Sequence, residues 1–249
     1  MLQRSQWLQA TKENKMISAI RWVAGLAALL TWASVCLGAE AGIVERLSGN
    51  ATIVGPDSVS RAARVNGVVN EGGTIVTGRG DEVLARLKDN TGIIVRQNSE
   101  VKVREFRHTQ EPSDSLVVSL FKGSLRSVTG LFGRARPASV RYEAATATIG
   151  IRGTDFELTI LPDGTPDGCG GIYNFVYDGI TNMQIATGEN LDVAKDTTGF
   201  SPENPAPGEA RLQLLRQRPA FLRGGGFDAL ILNLSNQPRV IPQIIRPGR

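Results

Sequence analysis

Apolar and polar residues alternate in short runs from Gly42 to about Phe200, with a period nearer two than 3.6. In Glu82–Lys88, Val83, Ala85 and Leu87 fall on one side of an extended chain, opposite Glu82, Arg86 and Lys88. Val101 and Val103 alternate with Lys102 and Arg104 in the same way. The pattern predicts strands at 43–47, 51–54, 74–77, 82–88, 92–97, 101–106, 116–121, 144–149 and 155–160. Asp89-Asn90-Thr91-Gly92 joins two of these runs and has the composition of a hairpin loop, since Asn and Gly tolerate positive φ. Further turn signals stand at Gly72-Gly73, Gly78-Arg79-Gly80, Lys122-Gly123 and Asp178-Gly179. Many short strands at this spacing predict an all-β fold, a single sandwich or roll.

Helical character is concentrated in one place, Glu209–Arg218 (EARLQLLRQR), which is bounded by Pro207 and Pro219. Ser201–Gly208 is proline-rich and predicts a linker, and Gly224–Gly226 predicts a joint. Phe227–Leu234 is apolar enough to add a strand or to pack on the body. At the other end, Lys12, Lys15 and Arg21 precede the apolar Trp22–Leu30, and Ala39-Glu40-Ala41 supplies a small-residue cleavage pattern. That order predicts a secretory signal peptide, with an uncleaved anchor as the alternative. The expected organisation is a signal peptide at 1–41, a β domain at 42–200, and a linker, short helix and extended basic tail at 201–249.

Charge adds an asymmetry that the net value of +4 conceals. Ten acidic residues lie between Asp155 and Glu209 against Lys195 alone, whereas seven arginines follow from Arg211 against Asp228 alone. A tail of this kind is expected to fold back on the acidic body or to reach an anionic partner. Candidate chemistry is sparse. His108 is the sole histidine, Cys169 is the one cysteine beyond the leader, and no serine lies in a G-x-S-x-G elbow. Zinc would need a Cys/His cluster, and Pro166 spoils the register of a calcium loop at Asp163–Gly168. No enzyme activity, metal or cofactor is expected, and few aromatics accompany the tail arginines, which argues against nucleic acid.

One stretch stands apart, ATIGIRGTDFEL at 147–158, where Gly150 and Gly153 bracket Arg152 inside a strand pattern. Glycines here let the backbone bulge, Ile151 is expected to plug the core, and Arg152 is placed to pair with Asp155. The stretch resembles the signature of the FecR domain, an extracytoplasmic bacterial family. Gly73–Gly78, Leu84–Thr91 (with Asn90 at a usual glycine), Asn98–Val101, Phe121–Gly123 and Val176–Gly188 are similar to further family segments, so the likeness covers about 42–200. It implies a periplasmic or secreted, non-catalytic β domain, with Gly150, Arg152, Gly153, Thr154 and Asp155 as its binding residues.

The best-known members of that family are sigma-factor regulators with a cytoplasmic segment, one membrane helix and a periplasmic sensor. About twenty residues precede the apolar run here, too few for the cytoplasmic domain. The expectation is therefore an exported binding module in the cell envelope, sensory or protein-docking. Its partner would be an envelope protein or an anionic envelope component, and it would be membrane-peripheral at most; nothing in the sequence sets its oligomeric state. The alternative is a structural surface protein that adheres to anionic polymer or lipid through its tail.

Overall fold

Asn90 adopts φ 65° and reverses the chain between β6 (Glu82–Leu87) and β7 (Gly92–Val95), as the composition of that loop predicts. The computed structural model describes residues 38–235 apart from 110, 112, 167 and 223. The leader up to 37 and the basic end from 236 lie outside the described residues. The architecture is all-β. Before the hairpin run β1 (Glu40–Ser48), β2 (Thr52–Val54), β3 (Ser60–Ala62), β4 (Val68–Asn70) and β5 (Thr74–Val76). After it come β8 (Glu100–Arg107), β9 (Ser115–Val128), a short helix α1 (Leu131–Ala135), β10 (Val140–Ala144) and β11 (Ala147–Leu161). The chain continues with β12 (Gly171–Ile185), β13 (Asn190–Ala194), β14 (Thr198–Pro202), β15 (Gln213–Leu215) and α2 (Asp228–Ser235).

These strands form one continuous sheet whose main path runs β15-β14-β12-β11-β10-β9-β7-β6-β1-β4. Only the β9–β10 ladder is parallel among those described. The predicted strands are short, but β9, β11 and β12 have 14, 15 and 15 residues. Lys122-Gly123 and Asp178-Gly179 do not reverse the chain; Gly123 (φ +80°) and Gly179 (φ +84°) sit within long strands. Each long strand changes a neighbour at such a glycine. β9 pairs with β8 and β10 before Gly123 and with β7 and β11 after it. β12 pairs with β14 before Gly179 and with β13 after it. A left-handed glycine inside a ladder bends the strand instead of ending it.

One face of the sheet encloses the main core, including Val44, Ile75, Ile93, Leu120, Leu125, Ile149 and Leu158, with Tyr142 edge-on to Phe156 at 4.8 Å between ring centroids. Each fully buried aliphatic or aromatic side chain contributes about 1.5–3 kcal/mol. Ile151, at 3 % exposure, fills the core as expected. The second face is also covered. Leu84, Ile94 and Val128 pack there with Ile231 of α2.

Glu209–Arg218 is not a helix. Gln213–Leu215 instead forms β15, paired with Thr198–Phe200 of β14. A segment of ten residues is too short to hold an isolated helix, and the free edge of β14 offers hydrogen bonds that override local propensity. The helix lies later, at Asp228–Ser235, in the segment expected to pack on the body or add a strand.

Candidate functional site

The signature stretch is one uninterrupted strand, β11. Gly150 takes a regular ladder position between Arg141 of β10 and Asn182 of β12. The bulge is at Gly153, whose φ is +60°, and the β12 register shifts between Arg152 and Phe156. The five predicted site residues are thereby split. Arg152 and Gly153 are exposed, and Gly150 is half-buried. Thr154 and Asp155 are each 3 % exposed and engaged internally. The Thr154 N–H donates to Thr129 Oγ1 at 3.1 Å, and Thr129 Oγ1 donates to the Thr154 carbonyl at 2.9 Å.

The expected Arg152–Asp155 pair does not form. The bulge turns Asp155 to the second face, where Arg126 of β9 grips it in a bidentate pair at 2.9 and 2.7 Å. Arg126 is missing from the sequence-based site because only the β9–β11 pairing brings it to Asp155. It anchors a larger buried cluster. Arg96 contacts Glu82 at 2.7 Å, Glu157 at 3.3 Å and Asp228 of α2 at 2.6 Å. Arg126 also reaches Asp228 at 3.0 Å and lies 3.8 Å over the Tyr177 ring. Tyr177 donates its hydroxyl proton to Glu157 at 2.6 Å, and Arg218 approaches the same carboxylate at 3.4 Å.

Four carboxylates (Glu82, Asp155, Glu157, Asp228) thus meet three guanidiniums (Arg96, Arg126, Arg218). Burial opposes the charge on Arg96 and Arg126, but the facing carboxylates outweigh it and raise both pKa values. Burial likewise opposes the Asp228 carboxylate, and the two arginines outweigh it and hold Asp228 below its ordinary range. Burial, then the neighbouring Glu157, pushes the Tyr177 phenol up, so it remains a hydrogen-bond donor.

The C-terminal segment closes over this cluster. Phe227 N–H donates to Glu82 at 3.1 Å, and Asp228 accepts from Gly225 N–H at 2.8 Å, tying the glycine segment to the start of α2. A cleft of about 680 Å³ opens beside it, lined by Arg96, Lys122, Ser124 and Glu157 of the sheet and by Phe221 and Leu222 of the segment. Among the described residues, no group of three or more His, Cys, Asp and Glu is placed to hold a metal. His108 stands 4.0 Å from Asp114, and Cys169 is exposed.

Residues 73–166, a segment that runs from β5 through β11, match the family described as FecR protein. No curated protein matches the chain. Two crystal structures of a candidate anti-sigma factor from Parabacteroides distasonis, at 2.50 and 1.65 Å, are similar to it, with TM-scores of 0.45 and 0.43. Both are 11 % identical, and the alignments cover 59 % of this chain and 60 % of theirs.

Proposed function

We propose that the protein is an exported, non-enzymatic FecR-like binding module with a sensory or protein-docking role in the bacterial cell envelope. The observation that carries this reading is the FecR segment itself, 73–166, which takes in the Gly150–Asp155 stretch of β11. Within it Asp155 is gripped by Arg126 and Thr154 by Thr129, while Arg152 and Gly153 face solvent on the same strand. The backbone beneath a ligand contact there is already ordered by the ladder, so binding orders the Arg152 side chain and not the strand that carries it. The leader pattern at 1–41 supports export.

The test is co-purification of the full chain from fractionated cells of its own host. A protein partner retained in the envelope fraction after deletion of 236–249 supports docking through the β body. Recovery in the cytoplasm refutes export. Retention on anionic polymer or lipid that disappears with the tail would assign the adhesion to the tail.

A further inference from the structure

Gly150 is a glycine that the fold does not need. Its φ lies outside the left-handed range, and it pairs regularly on both sides. A Cβ placed there would meet nothing nearer than the Asn182 carbonyl at 3.8 Å, an ordinary contact. Gly123 and Gly179 differ, since each has positive φ and a Cβ there would press into backbone at 2.7 and 2.6 Å. Glycine within a strand costs stability, and one without a steric reason marks a place where another backbone comes close.

The surroundings specify what approaches. Gly150 lies on the solvent face of β10, β11 and β12, between Arg141 directly across and Arg152 two residues on. Diagonal cross-strand neighbours are about 7–8 Å apart at Cα, so both guanidiniums reach one group seated over Gly150. Arg152 is exposed and has no ion pair among the described residues. Arg141 shares Glu143 with Arg104, at 3.3 and 2.9 Å, and both arginines are more than half exposed. Arg104, Arg141 and Arg152 outnumber the carboxylates of Glu143 and of Asp192, the latter held at 2.7 Å by Asn182 across from Gly150, so an excess of positive charge remains. Beside Arg152 in the ladder stands Ile180, 40 % exposed.

Resting on the docking role proposed above, we infer that this notch receives an extended acidic segment of a partner protein. Its carboxylate sits between Arg141 and Arg152, its backbone crosses Gly150, and an apolar side chain covers Ile180. Bidentate arginine–carboxylate pairing supplies the orientation.

The test is photo-crosslinking in the native host, using the full chain with p-benzoylphenylalanine in place of Gln184 at the rim or, separately, Leu214 on the distant β15. Adducts from position 184 should map to an acidic segment. They should fall at least about tenfold in Arg141→Glu/Arg152→Glu, the scale of losing a charge-assisted hydrogen bond. Gly150→Val should abolish them while the Tm stays equal or rises, a combination that a purely structural role for Gly150 does not produce. Adducts unchanged in either variant, or mapping to lipid, anionic polymer or a basic segment, overturn the inference. Adducts from 214 alone refute this face but keep the docking role, and none from either position counts against both.

Discussion

Asp228 is the single acid of an arginine-rich C-terminal segment, and it docks that segment through two arginines of the sheet. Asp228→Asn removes its charge but keeps an oxygen for the Gly225 N–H. The side chain is 19 % exposed and sits 2.6 and 3.0 Å from Arg96 and Arg126. Breaking a fully buried ion pair costs about 3–5 kcal/mol, and an exposed one about 0–1. Here neither arginine is orphaned, because Arg96 keeps Glu82 and Glu157, and Arg126 keeps Asp155. A loss of about 2 kcal/mol is therefore expected, roughly a thirtyfold rise in local opening.

Native-state hydrogen exchange reads this directly. The Leu230 and Ile231 amides, which donate to the Phe227 carbonyl, should exchange about thirtyfold faster, with β9 and β11 amides unaffected. The pH dependence has a fixed sign. The folded-state pKa of Asp228 is depressed, so its stabilisation is fully present above the unfolded carboxylate value and is lost as pH falls through the folded pKa. Wild type should converge on Asp228→Asn only in acid. Unchanged α2 exchange, or convergence near neutral pH, would refute the ionic latch.

Arg152→Ala should change unfolding free energy by less than about 0.5 kcal/mol, whereas Arg126→Ala should cost about 3–5 kcal/mol by stranding Asp155, both measured by urea titration. Ile231→Ala, at a fully buried position, should cost about 2–4 kcal/mol, so deleting 224–249 should lower the midpoint and not leave the β body untouched. Gly123→Ala places a Cβ 2.2 Å from Ser99 Oγ and 2.7 Å from the Asn98 carbonyl and should be severely destabilising; Gly153→Ala meets no atom within 4 Å and should cost only about 1–2 kcal/mol of backbone strain, a contrast thermal melts resolve.

Period-two runs and the Asp89–Gly92 hairpin were legible because each depends on residues close in sequence. The long strands were hidden, since a glycine of positive φ looks the same in composition whether it ends a strand or bends it, and only pairing on both sides distinguishes the two. The covered second face left a trace. Leu84 breaks the alternation of Glu82–Lys88, and Ile93-Ile94-Val95 is apolar without alternation, the mark of a strand buried on both faces. Asp228 was conspicuous as the lone acid among seven arginines, but its partners Arg96 and Arg126 lie more than a hundred residues away. The identity of Asp155's partner was beyond sequence reading because it depends on the phase of the Gly153 bulge.

As proposed above, an exported FecR-like body docks an envelope partner. The most direct measurement is in-host crosslinking and affinity capture of the full chain from the envelope fraction, repeated with 236–249 removed. A discrete protein partner captured equally by both forms is the predicted result. Capture that vanishes with the tail, or a protein confined to the cytoplasm, would contradict it.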